Sequence, residues 1–131
     1  MIHKTILCID DDPDDRRLLQ QELLEINNMI YFAEAENGWE ALNYLNKAIT
    51  SDSLPCLIVL DLNMPILDGK QTYQKLTSDK HLCDIPVVIY TSSNNPNDKL
   101  YFSTRGIKYF VKPSSHRVMK QIAEDMINVC S

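Results

Sequence analysis

The sequence lacks the features that mark several common classes of protein. It has no cluster of Lys or Arg residues, its 18 acidic residues outnumber 13 basic ones, and its net charge is −5. This balance argues against direct DNA binding and against binding to anionic membranes. No hydrophobic run approaches the length of a membrane span, and nothing resembles a signal peptide, so we expect a cytoplasmic protein.

The four cysteines lack the spacing of a metal site or a redox motif. Cys8, Cys56, Cys83 and Cys130 are far apart in the chain and form no C-x-x-C pair. Two of them lie in or beside apolar, strand-like runs, where cysteine acts as a small hydrophobic residue. We therefore predict four reduced thiols.

What the sequence contains is a regular alternation of two patterns. Short apolar runs rich in β-branched residues alternate with helical patterns, and several of the runs are apolar nearly throughout, as in strands covered on both faces. The 131 residues are enough for one domain, 1–131. We predict an α/β fold: a doubly wound, five-stranded parallel sheet with five helices in a flavodoxin-like three-layer sandwich. The predicted strands are Thr5–Ile9, Met29–Ala33, Cys56–Leu60, Val87–Tyr90 and Ile107–Val111.

Polar residues follow four of these strands at the point where each strand ends. Ligands of open parallel sheets bind beyond the carboxyl ends of the strands, so these side chains should meet at one edge. They comprise three carboxylates, one hydroxyl and one ammonium. These residues are Asp10, Asp11, Asp61, Thr91 and Lys112.

The stretch "CIDDDPDD" places five aspartates among eight residues, directly after the first strand. Asp12 has the position of a helix N-cap, followed by Pro13 at the first helical position. Asp14 and Asp15 are then acids of the first turn, which the helix dipole stabilises. We assign these three aspartates no function beyond the start of the helix.

The other two aspartates of that stretch need a different explanation. Asp10 and Asp11 should lie beside Asp61, and two carboxylates ~4 Å apart repel by about 1–4 kcal/mol, depending on their exposure to water. A hard divalent cation would offset that repulsion, because Mg²⁺ prefers oxygen ligands and takes one or two protein carboxylates. Lys112 can supply further positive charge.

Five motifs in this order resemble the receiver domains of two-component response regulators, in particular the single-domain chemotaxis regulators. They are "CIDDDP", "ENGWEAL", "LIVLDLNMPILDG", "IPVVIYTSS" and "YFVKP", and the resemblance covers essentially the whole chain. Residues 46–55 are longer than in many receivers. In this respect the chain is similar to stand-alone receivers such as those paired with phytochrome-type kinases.

The resemblance implies a metal-assisted phosphoryl acceptor. Asp61 corresponds to the residue that is phosphorylated. Asp11 would bind Mg²⁺ (or Mn²⁺) directly together with Asp61, Asp10 would assist through water, and Asn63 would offer its backbone carbonyl.

The resemblance also assigns three residues around the acceptor. Lys112 would pair with a phosphoryl oxygen, and its bond to Pro113 is expected to be cis. Thr91 is the hydroxyl expected to turn towards the phosphoryl group, and Tyr109 is the aromatic residue expected to move inward with it. Attack on phosphorus by a carboxylate needs positioning and charge neutralisation more than acid–base help, which suits this set of groups.

The implied function is signalling in a two-component or phosphorelay system. The partners would be a sensor histidine kinase or histidine phosphotransfer protein and a downstream protein that reads the surface of helix 4, strand 5 and helix 5. We expect no enzymatic action beyond the domain's own phosphorylation and dephosphorylation. The sequence ends after the fifth helix without an output domain, so we expect either a single-domain regulator or a receiver excised from a longer protein. Leu100, Tyr101 and Phe102 either fill the core or support a phosphorylation-favoured homodimer.

Three alternatives from other classes stay open. A small Mg²⁺-dependent phosphatase with an Asp nucleophile would need a second Asp two positions after Asp61, where Asn63 stands. A flavin binder would need a Ser-, Thr- or Gly-rich phosphate loop after the first strand, where this chain is acidic. The third alternative is an adaptor that has the receiver fold but is not phosphorylated. The one argument against it is that all the polar residues at the strand ends are present.

Overall fold

The computed structural model describes residues 4–130, in which β-strands and α-helices alternate along the chain. All neighbouring strands are parallel, in the order β2-β1-β3-β4-β5, with helices on both faces of the sheet. This is the predicted doubly wound α/β fold. Within residues 4–130 no helix is long and apolar enough to cross a membrane. The elements are β1 Thr5–Ile9, α1 Pro13–Ile26, β2 Tyr31–Ala35, α2 Gly38–Thr50, β3 Leu57–Leu60, α3 Gly69–Ser78, β4 Val87–Thr91, α4 Pro96–Ser103, β5 Lys108–Val111 and α5 His116–Cys130.

The sheet separates two hydrophobic cores because side chains of a strand alternate between its faces. On one face, Leu7 of β1 packs with residues from α2, α3 and α4, including Phe102. On the other, Ile6 of β1 packs with residues from α1 and α5, including Leu23 and Met126. The central strands are therefore buried on both faces, as their continuous apolar runs predicted.

Side-chain caps mark the start of four helices, and the cap of α1 was predicted from the sequence. Asp12 accepts hydrogen bonds from the backbone N–H groups of the first turn of α1. Asp68 forms a reciprocal capping box with Gln71 at the start of α3. Asn37 and Asn95 cap α2 and α4 with their side chains. These caps satisfy N–H groups that have no partner within the helix, and so fix where each loop ends.

The predicted start of the second strand was wrong, and the choice left open for Phe102 is resolved. The second strand begins at Tyr31, two residues later than expected, because the side chain of Asn27 accepts from the N–H of Met29 and holds that segment in a turn. Phe102 is fully buried in the core, so it belongs to no interaction surface, whereas Leu100 beside it on α4 is 61% exposed.

The prediction of four reduced thiols was also wrong for two of them. Cys56 and Cys130 form a disulfide across 74 residues, with Cα atoms 5.0 Å apart, a distance ordinary for such a bond. Cys8 and Cys83 are free. The pair forms because α5 packs back along the sheet until its last turn lies over the residue that precedes β3. Spacing in the sequence carries no sign of that proximity.

We expect reduction of this disulfide to destabilise the domain. Opening a cross-link of this length costs about 2–4 kcal/mol, which corresponds to a fall in Tm of about 5–15 °C. Thermal melts with and without reductant would measure the change. Cys130→Ser should melt like the reduced wild type, and Cys83→Ser should behave like the oxidised wild type. An unchanged Tm, with both thiols reactive before reductant is added, would contradict the cross-link.

Candidate functional site

The backbone hydrogen bonds of the sheet place the predicted polar residues at one edge. The N–H of Asp10 donates to Ala35 O (3.0 Å), and the N–H of Asp61 donates to Ile9 O (2.9 Å). The N–H of Lys112 donates to Thr91 O at 2.8 Å. Each residue therefore continues the ladder just beyond its strand, and its side chain emerges at the carboxyl edge.

Three carboxylates gather there. One oxygen from each of Asp10, Asp11 and Asp61 lies within 4.8 Å of the others. Asp10 and Asp61 are 2% and 5% exposed, while Asp11 faces solvent. A set of oxygen donors with one open side fits a hard divalent cation such as Mg²⁺ or Mn²⁺. Asn63 lies exposed in the loop after β3, and the role of its backbone carbonyl stays a prediction.

The ammonium of Lys112 offsets part of the repulsion among these carboxylates. Its Nζ lies 2.7 Å from Asp10 Oδ2, 2.8 Å from Asp15 Oδ2 and 3.4 Å from Asp61 Oδ2. The lysine side chain is only 11% exposed, so water screens these ion pairs less than it screens surface pairs. The site thus carries its own cation, on the side formed by β5 and α1.

Burial and ion pairing act in opposite directions on these groups. Burial raises the pKa of Asp10 to about 6, although hydrogen bonds from Lys112 and from the N–H of Asp12 oppose the shift. Burial alone would lower the pKa of Lys112, but hydrogen bonds to Asp10 and Asp15, and the charge of Asp61, outweigh it and raise that pKa. The pKa of each group is therefore raised, for Asp10 by burial and for Lys112 by its carboxylate partners.

Thr91 and Tyr109 are connected through one residue, Ser93. Thr91 is fully buried, and its hydroxyl accepts from the N–H of Ser93 at 3.3 Å. The Tyr109 hydroxyl donates to the carbonyl of Ser93 at 2.8 Å. The Ser93 hydroxyl donates to Asp98 Oδ2 at 2.9 Å, which ties the same loop to α4. Thr91 and Tyr109 thus both bond to the backbone of Ser93.

The loop after Asp61 folds back onto the end of β3. The N–H of Gly69 donates to Leu62 O at 3.0 Å. A Cβ at position 69 would overlap the carbonyl oxygen of Asp61, so only glycine fits this close approach. On the carboxylate side, the N–H of Leu62 donates to Asp61 Oδ1 at 2.7 Å. Backbone contacts therefore restrain both the main chain and the side chain of Asp61.

Two residues of the site were missed by sequence reasoning. Asp15 was assigned only to the helix start, yet it reaches Lys112. Arg16 donates to the carbonyl of Asp10 at 2.6 Å and to Glu34 of β2 at 2.9 Å. Helical spacing was the one available signal. Asp15 stands three residues after the cap Asp12, so the two lie on the same face of α1 near the end of β1. The contact partner lies 97 residues away from Asp15, beyond what spacing can reveal.

The expected cis bond before Pro113 was wrong, because the bond from Lys112 to Pro113 is trans. The trans form is favoured by about 0.5–1 kcal/mol in X–Pro bonds. In this conformation the chain already brings the Lys112 ammonium to the carboxylates, so no isomerisation is needed to complete the ion pairs.

Residues 6–124 match the response regulator receiver domain. The chain therefore belongs to the receiver domain family of two-component response regulators.

Particular relatives agree with this assignment. The chain is 28% identical over 127 residues to the chemotaxis protein CheY homolog of Campylobacter jejuni, covering 96% of this chain and 94% of the relative. Among solved structures, it resembles the phosphorylated cyanobacterial phytochrome response regulator RcpA, with a TM-score of 0.83, 28% identity, and coverage of 99% of this chain and 98% of that one. It also resembles the Mn²⁺-bound form of the response regulator Rcp1, with a TM-score of 0.79, 27% identity, and coverage of 93% and 90%.

We expect two charge-removing substitutions to have opposite effects on the metal-free protein. Lys112→Met leaves the carboxylates without their cation and should cost about 3–5 kcal/mol. Asp11→Asn relieves repulsion without breaking any hydrogen bond or ion pair found among residues 4–130, and should gain about 1 kcal/mol. Thermal melts in EDTA would measure both changes, with Lys120→Met on the exposed face of α5 as the charge-matched control. A Lys112→Met variant as stable as the control would contradict this account of the site.

Proposed function

We propose that this chain is a phospho-accepting receiver that takes a phosphoryl group onto Asp61 from a sensor histidine kinase or a histidine phosphotransfer protein. Asp61 combines the properties that an acceptor needs. It is nearly buried, its main chain and side chain are held by backbone contacts, and the Lys112 ammonium and two further carboxylates lie next to it. The chemistry of those neighbours, more than the fold, supports the proposal.

In the proposed reaction, a carboxylate oxygen of Asp61 forms a bond to phosphorus while the bond from phosphorus to the donor's histidine nitrogen breaks. The electron pair of that bond leaves with the nitrogen. Lys112 donates an N–H to a phosphoryl oxygen of the growing acyl phosphate, and this stabilises charge where it develops. Asp10 and Asp11, with Asp61 and the Asn63 carbonyl, would hold Mg²⁺. When bound, Mg²⁺ supplies the remaining positive charge that phosphoryl transfer requires.

Signalling would then depend on Thr91 and Tyr109. The phosphoryl group offers Thr91 a new acceptor, and a ligand can shift a conformational equilibrium only through such differential contacts. Because Thr91 and Tyr109 both bond to Ser93, a shift of Thr91 would change the surface of α4, β5 and α5. A downstream protein would recognise that changed surface.

The proposed function also implies a cellular location and a set of partners. We place the protein in the cytoplasm, where a phosphohistidine donor would be found, with neither DNA nor membrane as a partner. Leu100, which is exposed, and Tyr101, which is half-buried, remain candidates for a phosphorylation-favoured homodimer through α4.

Asp61 should be the single site of Mg²⁺-dependent phosphorylation. Incubation with a small phosphodonor should add the mass of one phosphoryl group to the wild type, and EDTA or Asp61→Asn should abolish the addition. Intact-mass spectrometry measures the product. Asp79→Asn, at the far end of α3, serves as a matched control that should label fully. Equal labelling of Asp61→Asn and wild type would reject the proposal in favour of another acceptor, and no labelling of any variant would favour an adaptor that works without phosphorylation.

Thr91→Ala should separate phosphorylation from its readout. We expect this variant to take up the phosphoryl group at Asp61 but to lose most of the change in amide exchange across α4, β5 and α5. Thr91→Ser keeps the hydroxyl and should retain the change. Hydrogen–deuterium exchange with and without phosphodonor measures the difference. A full response in Thr91→Ala would show that the signal takes another route.

A further inference from the structure

Asp15 reaches the site from outside the cluster of carboxylates. It lies in the first turn of α1, and its N–H donates to the Asp12 cap at 3.3 Å, which fixes the turn. Its Oδ2 lies 2.8 Å from the Nζ of Lys112. Its side chain is 32% exposed, so one end of the carboxylate meets water while the other pairs with the buried ammonium.

The ammonium of Lys112 has three N–H donors and three carboxylate neighbours. Two of these neighbours, Asp10 and Asp61, belong to the acidic cluster that fits a divalent cation. Asp15 is the third, and it lies outside that cluster. The three ion pairs of Lys112 are therefore not equivalent once the site is in use.

The proposed reaction changes two of these pairs. A cation held by the cluster would share the negative charge of Asp10 and Asp61, and phosphorylation moves the charge of Asp61 onto the phosphoryl oxygens, one of which then accepts from Lys112. Neither event alters the carboxylate of Asp15. Its pair with Lys112 therefore holds the ammonium beside Asp61 before the phosphoryl group arrives, and stays unchanged afterwards.

We propose that Asp15 is a positioning residue for phosphoryl transfer, which holds the Lys112 ammonium beside Asp61 throughout the reaction. This inference rests on the proposed function. The neighbouring Asp14 has the same charge in the same helical turn, but its side chain is 75% exposed and pairs with Arg17 on the surface. The two aspartates therefore form a natural matched pair for experiment.

The first test compares rates of phosphorylation by phosphoramidate at saturating Mg²⁺. Asp15→Asn should lower the maximal rate about tenfold, the lower end of what losing a supporting partner costs at a metal site. The half-saturating concentration of phosphoramidate should change little. Asp14→Asn should stay within about twofold of wild type, because it removes the same charge without touching Lys112. Asp15→Glu keeps the carboxylate and should recover most of the rate.

The second test identifies Lys112 as the group through which Asp15 acts. In a Lys112→Met background, Asp15→Asn should cause no further loss of rate, because residues that act as one unit are not additive. The protein labelled with ¹⁵N-lysine gives a readout in EDTA, without catalysis. The Lys112 ammonium signal, assigned by its loss in Lys112→Met, should shift and exchange faster in Asp15→Asn but not in Asp14→Asn.

The outcomes separate the two proposals. If wild type is phosphorylated and Asp15→Asn reacts as fast as Asp14→Asn, this inference is overturned and the proposed function stands. A tenfold loss that persists in the Lys112→Met background also overturns it, since Asp15 would then act through another group. If wild type takes up no phosphoryl group while its mass and fold are intact, the proposed function fails and this inference fails with it.

Discussion

The ion pairs of Lys112 are the interaction on which this edge of the protein depends. The sheet brings carboxylates from β1 and β3 together at its carboxyl edge, where they are largely buried and repel one another. β5 supplies the lysine that makes this arrangement tolerable in the absence of metal. The first turn of α1 adds the carboxylate of Asp15. The single positive charge of Lys112 therefore has three negative neighbours. A site built in this way is stable enough to fold and still negative enough to attract a divalent cation.

A short polar path connects the end of β4 with α4. Thr91, Ser93 and Tyr109 form consecutive hydrogen bonds, and Asp98 of α4 joins the same path through Ser93 and through an ion pair with Lys70 of α3. Each link involves a group that is at least partly shielded from water, where a lost hydrogen bond costs more than at the surface. The path is therefore suited to having two discrete arrangements, as the proposed function requires.

The sequence predicted the parts of this site that follow from strand ends. Asp10, Asp61 and Lys112 could be placed together because parallel strands end at one edge, a rule that needs no knowledge of register. The start of β2 was misplaced because Asn27 makes a local turn that competes with the strand. A hydrogen bond from a backbone N–H to a nearby side chain, as at Asn27, cannot be predicted from the spacing of apolar residues.

Contacts between distant segments were harder to predict. Asp15 and Lys112 meet because of how α1 is angled against the sheet, and Cys56 meets Cys130 because of how far α5 extends along it. Helix orientation is decided by packing in the cores, and no single residue of the motif carries it. Residue types therefore suggested an acidic site. Only the tertiary structure identified Asp15 as a partner of Lys112.

The disulfide gives the acceptor strand an unusual mechanical connection. Cys56 immediately precedes β3, and Asp61 immediately follows it, so the strand runs between a covalent cross-link and the proposed phosphorylation site. Force applied to the chain beyond Cys130 would bypass most of α5 and pass into the central strand of the sheet. Parallel strands loaded in this way must shear several hydrogen bonds at once, so the oxidised domain would resist pulling at its centre while α5 stays slack.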